Sequence, residues 1–301
     1  MKHLFIINKT AGKGESCNEV LSQLEKIKSD DVIVRYTERP AHATELAREF
    51  VKQSDEFVRV YACGGDGTVN EVISGIYDLD NCAFAPVPTG SGNDFIRSFD
   101  CDKSDFLNIE KLMNGSETVI DLLRCNDRIS CNSVTVGFDC AVAKNVEKFK
   151  NKKFLTAESA YKTSIFYCLI NGRKHDFNIS IDGKDIPRDS TYLLSLCAKG
   201  KYYGGGIKCA PEADNSDGMI DFTVIPTIAV IKFLRLLPSF TKGEHLDNPK
   251  ADFIVHQKCK EVEYKSDTPF EIGIDGEIIT VEKAKIYVLP KTLRVVIPSG
   301  Q

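Results

Sequence analysis

Apolar positions in the first third of the chain fall into four short runs at a nearly even spacing: "LFII" at 4–7, "DVIVRY" at 31–36, "FVRVYA" at 57–62 and "CAFAPV" at 82–87. Runs this short predict strands. Between them the spacing changes to a helical one. Val20, Leu21, Leu24 and Ile27 share one face, as do Leu46, Ala47, Phe50 and Val51, and then Val69, Val72, Ile73 and Ile76. Strand and helix alternate, which predicts a parallel, Rossmann-like sheet covered by helices.

Beyond about residue 120 the texture becomes short alternating runs: "VIDLLRC", "SVTVGF", "FNISI", "YLLSLCA", "MIDFTVI" and "EIGIDGEIITV". Asp-Gly and Asn-containing turns join several of them. That pattern predicts an antiparallel β-sandwich or barrel, interrupted by helical spacing near 158–171 and 228–237. The expected organisation is therefore α/β plus β, an α/β domain over 1–120 and a β-sandwich domain over 121–290. A final strand near 291–301 is expected to pack back on the first domain, with the active site in the cleft between the two.

Composition narrows the class. The 301 residues are 42% hydrophobic and 27% charged, as in an ordinary globular protein, and 39 basic against 43 acidic side chains leave a net charge of −4. No global positive field attracts nucleic acid, so any anion site has to be local. The 11 cysteines include no C-x-x-C pair, and many lie inside apolar runs, which points to reduced thiols packed as small hydrophobes and to a cytoplasmic protein without a zinc site. The amino-terminal apolar run is too short for a signal peptide, and no segment approaches the ~18 uninterrupted apolar residues of a membrane span.

The candidate chemistry sits at strand ends. Ligands of parallel α/β sheets bind beyond the carboxyl ends of the strands, where this chain carries "NKTAGKG" (8–14), "GGDGT" (64–68) and "PTGSGND" (88–94). Glycine admits a close approach to the backbone amides, and a following helix adds unpaired N–H groups and its positive end. These are phosphate-binding conditions. No G-x-x-x-x-G-K-[ST] occurs, and "GSGNDF" has Phe95 where G-x-G-x-x-G needs its third glycine, so neither a Walker-type NTPase nor a Rossmann dehydrogenase fits.

With "NKTAGKG", "GGDGTVNEV" and "PTGSGNDFIRS" in that order, the chain resembles the diacylglycerol kinase catalytic-domain family, which includes soluble bacterial lipid kinases and the sphingosine kinases. The likeness continues through "APEADNSDGMID" (210–221) and "GIDGEII" (273–279) and so spans nearly the whole chain. Two departures are minor: Asn8-Lys9 where the family often has Asn-Pro, and Gly90-Ser91 where it often has Gly-Thr. The resemblance implies nucleotide contacts from Asn8, Lys9, Thr10, Ala11, Gly12, Thr37, Gly64, Gly65, Asp66, Gly67, Thr68, Val69, Asn70 and Ser91, with Lys13 as an added charge. It implies ATP and Mg2+. Asp66, expected to be exposed on its turn, would join a magnesium network, because a bare carboxylate beside phosphate needs a cation between them. Asn70 reads otherwise as a helix cap and Glu71 as a solvated charge.

In the second domain, Asp217 resembles the aspartate that holds a structural magnesium, with Asp214 and the Met219 carbonyl as neighbours; "NSDG" is also an ordinary turn. Glu277 resembles the proposed general base, with Asp275 orienting or assisting it, although Asp-Gly is equally a hairpin turn. An exposed carboxylate, with a pKa of about 4, is a weak base for an alcohol. The role therefore requires delivery of Glu277 into the interdomain cleft.

The expected activity is phosphoryl transfer from ATP to a lipid hydroxyl, diacylglycerol giving phosphatidic acid. The alternatives are another lipid acceptor such as sphingosine or a polyprenol, NAD kinase, and a silent nucleotide- or lipid-binding regulator. A lipid acceptor at a membrane surface, with peripheral contact, would be met by 227–243, where Ile228, Val230, Ile231, Phe233, Leu234, Leu236 and Leu237 surround Lys232 and Arg235, or by the lysine-rich run 144–161. Their plainer readings are a core-covering helix and a solvated face. A homodimer is open.

Overall fold

The computed structural model describes residues 1–12, 15–150, 163–164, 167–172, 174–187 and 191–299. The amino-terminal half alternates as the spacing predicts: β1 (Lys2–Ile7), α1 (Glu15–Leu24), β2 (Val32–Tyr36), α2 (His42–Gln53), β3 (Val58–Gly64), α3 (Asp66–Ile76) and β4 (Cys82–Pro88). The sheet order β4-β3-β1-β2 is parallel throughout, with Leu4 opposite both Ile33 and Val60. Every residue of β4, and all of β3 except Arg59, is buried, because helices cover both faces. Two short helices, α4 (Lys103–Leu107) and α5 (Ile109–Met113), then lead into the second half.

The second half is antiparallel: β5 (Ser116–Cys125), β6 (Arg128–Ser130), β7 (Ser133–Gly137), β8 (Asn178–Ile181), β9 (Lys184–Asp185), β10 (Tyr192–Ala198), β11 (Ile220–Pro226), β12 (Val255–Cys259), β13 (Glu261–Ile274) and β14 (Glu277–Ile297). Helix α6 (Phe138–Lys150) follows β7, and α7 (Val230–Lys242) follows β11. All the described strands join one continuous sheet. Its connecting member is β14, whose 21 residues pair with β13 and β5, and whose Val295 lies parallel to Phe84 of β4.

Three cores result. One lies between the parallel sheet and its helices, one inside the sandwich around Val136, Phe222, Tyr264 and Ile286, and one between β10 and the helices α6 and α7. The cysteines are free, and all but Cys101 are buried; burial pushes the Cys82, Cys125 and Cys140 thiols up to about 12.

Glu71 differs from its expected role as a solvated charge. Its Oε1 accepts from Ala41 N at 2.9 Å and its Oε2 from Ala43 N at 3.2 Å, so α3 supplies the N-terminal cap that α2 lacks in its own sequence. The helix needs it because its entry residue Ala41, held at φ 63, offers no side-chain acceptor. Loss of this cap costs about 1 kcal/mol. The variant Glu71→Ala is expected to lower the urea midpoint accordingly without changing the slope of the transition.

Candidate active site

The three glycine-bearing loops meet at the carboxyl edge of β1, β3 and β4. Gly90 N donates to Gly64 O at 3.0 Å, and a Cβ on Gly90 would stand 2.3 Å from Gly65 Cα, so only glycine permits the second and third loops to touch. Gly12, at φ 67, brings the first loop against Thr89 O with the same lack of room. Side chains complete the interlock: Asn8 Nδ2 donates to Thr68 Oγ1 at 3.1 Å, Thr10 donates twice to Asn8 Oδ1, and Asn93 Nδ2 donates to Gly90 O at 2.6 Å. Thr37 N donates to Ile7 O at 3.0 Å, which sets Thr37 beside the first loop. Gly67 and Ser91 are exposed, while the Lys9 ammonium lies over the Tyr36 ring at 4.0 Å; Lys13 lies outside the described residues.

Asp66 is not exposed on a turn. It is half-buried as the first residue of α3, and its Oδ1 accepts from the amides of Asp94 (2.7 Å) and Phe95 (3.3 Å). Burial, reinforced by the charge of Asp94, holds its carboxyl above the usual range. Asp94, which the sequence reading passed over, is buried; its Oδ2 accepts from Gly205 N at 2.7 Å, while its buried Oδ1 has no hydrogen-bond partner and faces Arg97 Nε at 3.3 Å. Two crowded carboxylates, one oxygen of which accepts no hydrogen bond and has only the Arg97 guanidinium facing it, suit a divalent cation that arrives with phosphate oxygens as its other ligands. Among the described residues no group of three His, Cys, Asp or Glu is arranged to hold a metal alone.

Asn70 does not cap its helix. Its Nδ2 reaches across the cleft to Ile129 O at 2.9 Å and to Asp275 Oδ2 at 2.7 Å. Asp275 and Gly276, at φ 46 and 89, form the two-residue turn between β13 and β14. The turn sends the Asp275 carboxylate into the loop after β6, where it accepts from Ser130 Oγ and from the amides of Cys131, Asn132 and Ser133 at 2.7 to 3.1 Å. Glu277 points elsewhere. Its side chain is 68% exposed and pairs with Arg128 Nη1 at 3.0 Å, so the expected delivery into the cleft is not seen.

A cavity of about 450 Å³ opens at this junction. Asp66, Val69, Asp94 and Asp275 belong to its wall, and so do Phe138, Val142, Leu193, Ile225, Phe233 and Leu236. One chamber thus adjoins both the glycine loops and an apolar interior. Helix α7 explains the apolar side: Phe233, Leu236 and Phe240 face inward, while Ile231 and Leu234 remain 57% and 48% exposed beside Lys232 and Arg235. Covering a core and presenting an apolar outer face are therefore both properties of this helix. The run 144–161 falls mostly outside the described residues; Lys144 pairs with Glu271.

The metal ligands implied for the second domain do not fit a metal. Lys199 Nζ, fully buried, donates to Asp217 Oδ1 and to the Met219 carbonyl at 2.9 and 2.8 Å, and Asp214 turns its Oδ1 onto Ser216.

The amino-terminal residues 2–125 match the model of the "Diacylglycerol kinase catalytic domain", and residues 132–297 match the "YegS C-terminal NAD kinase beta sandwich-like domain". The chain belongs to this lipid kinase family. Among relatives, the "Putative lipid kinase YtlR" of Bacillus subtilis is 27% identical over 98% of this chain and 99% of its own length. The "Diacylglycerol kinase" of the same organism is 26% identical over 97% and 95%. A crystal structure titled as a putative diacylglycerol kinase from Bacillus anthracis superposes with a TM-score of 0.74 at 21% identity, covering 98% of this chain and 94% of that one. Among the described residues of this lipid kinase no helix is long and apolar enough to cross a membrane.

The sequence reading of the lipid kinase also missed Asp139. It lines the cavity at the start of α6, and its Oδ2 is buried without a hydrogen-bond partner. Desolvation raises its carboxyl to about 6, against a smaller opposing effect of a hydrogen bond with Tyr203. The only sequence signal is an Asp between the apolar pairs of "GFDCAV". The folded pKa lies above the unfolded one, so this group favours the folded state at low pH, and that contribution is lost as pH rises through about 6. Asp139→Asn is expected to raise Tm at pH 8, with the gain shrinking below about pH 6 and gone only once the pH falls under the unfolded carboxyl's 3.8, as calorimetry across that range would read.

Proposed function

We propose that the protein transfers the γ-phosphoryl group of ATP to the hydroxyl of a lipid, with diacylglycerol as the acceptor and phosphatidic acid as the product. The observation that carries this reading is the shared cavity, which joins a cluster of phosphate-suited loops to an apolar chamber. Phosphoryl transfer asks the protein mainly to hold a polyanion in line with its acceptor and to balance developing charge. The amides of Gly64 to Thr68, at the positive end of α3, receive the triphosphate. Mg2+ entering with ATP supplies charge neutralisation there, and Asp66 and Asp94 are the side chains that would hold it.

The apolar wall takes the acyl chains, and Asp139 accepts a hydrogen bond from the polar part of the acceptor. Glu277 is the proton acceptor of this reading. It adjoins Gly276, which lines the cavity, and acts once its pair with Arg128 opens; Asp275 fixes the turn that carries it. The outer face of α7, with Ile231 and Leu234 between two basic side chains, supports peripheral contact with a bilayer, where such acceptors reside. The name "Diacylglycerol kinase" of the second relative favours diacylglycerol over sphingosine, polyprenols or NAD.

The test is transfer from γ-labelled ATP to a panel of diacylglycerol, sphingosine, ceramide, polyprenol and NAD in mixed micelles. Label is expected in diacylglycerol. Asp66→Asn is expected to reduce the rate by ~10²-fold or more and Glu277→Gln by ~10² to 10⁴-fold. Label in NAD alone rejects the proposal, and label in no acceptor favours a silent regulator.

A further inference from the structure

The segment 210–221 is where the resemblance implies a structural magnesium, and the structure sets a different cation there. Lys199, just beyond the end of β10, is 0% exposed. Its ammonium has three hydrogens, and three oxygens receive them: Asp121 Oδ2 at 2.9 Å, Asp217 Oδ1 at 2.9 Å and the Met219 carbonyl at 2.8 Å. Two of these three are ligands the resemblance assigns to the metal. The remaining acceptor positions are also engaged. Gly218 N donates to Asp121 Oδ2, Lys291 N to Asp121 Oδ1, Met219 N to Asp217 Oδ1, and Lys258 Nζ to Asp217 Oδ2.

Charge agrees with geometry. Lys199 and Lys258 balance the charges of Asp121 and Asp217, with the carboxylates of Asp214 and Asp221 close enough to act on Lys258. A divalent ion among the same oxygens would stand against the buried Lys199 ammonium, and two cations in contact away from water are costly. Mg2+ also requires about six oxygens at ~2.1 Å, and an ammonium nitrogen within 3 Å of these acceptors excludes that shell.

We propose that Lys199 replaces the structural metal in this protein, so that the 210–221 segment is ordered by a covalently tethered ammonium and needs no divalent ion. The tether joins β5 through Asp121, β10 through Lys199 itself, the turn before β11 through Asp217 and Met219, and the bend of β14 through the Lys291 amide on Asp121.

The experiment is thermal unfolding of the full chain without nucleotide, first in EDTA and then with increasing Mg2+ or Ca2+ at constant ionic strength, alongside metal analysis of the gel-filtered protein. The wild-type Tm is expected to be the same in EDTA and in either ion, with no stoichiometric divalent metal carried through purification. Lys199→Ala opens the cation position while leaving both carboxylates. Its Tm is expected to fall by several degrees in EDTA and to recover saturably with Mg2+ or Ca2+. Lys199→Met fills the same space with apolar atoms and is expected to fall without recovery. A wild-type protein that carries one equivalent of metal and loses stability in EDTA overturns the proposal, whether or not the variants fold. So does a Lys199→Ala variant that folds, is weakened, and responds to neither ion. None of these readouts depends on phosphoryl transfer, so the result is independent of the acceptor assigned above.

Discussion

The junction of the two halves depends on one carboxylate. Asp275 accepts from a hydroxyl, three consecutive amides and the side-chain amide of Asn70, and these donors come from the loop after β6 and from α3. Consecutive amides cannot converge on a point without a strong acceptor, and burying them unpaired would cost about 1–3 kcal/mol each. The tight turn exists to place that acceptor, which is why its Asp is held at a left-handed φ. Because Asn70 lies one turn along the helix that begins at Asp66, the same clamp fixes the amino-terminal end of α3 against the second half.

Two kinds of polar chemistry then meet in a single chamber. On the side of the glycine loops, backbone amides are crowded together by contacts that only hydrogen at Cα allows, and the carboxylates of Asp66 and Asp94 stand among them. On the other side lie aromatic and aliphatic residues of α6, α7 and β10, and burial among them raises the Asp139 carboxyl. Polar backbone and apolar side chains thus line opposite sides of the same space.

The features legible in the sequence are the local ones. Strand ends followed by glycine and then by helical spacing identify the loops, since turn conformation and periodicity are encoded within a few residues. The alternating runs likewise locate β5, β7, β8, β10 and β11. What escaped is non-local. Glu71 caps a helix thirty residues earlier in the chain, Asn70 reaches across 205 positions to Asp275, and Lys199 acquires its partners only when β5 and the turn before β11 close around it. "CAKGK" and "GFDCAV" carry no periodic signal that separates a buried charge from a solvated one. The sandwich was expected to end at 290 and a separate strand to begin near 291, whereas β14 bends at Lys291, φ 50, and continues.

That continuous β14 has a mechanical consequence. Kinases with separate lobes can close like a jaw around a flexible connection, but here one strand runs from the sandwich into contact with the parallel sheet. A rotation of one half against the other would shear its hydrogen bonds. The two halves are therefore tied by the continuity of a single strand as well as by side-chain contacts across the cleft.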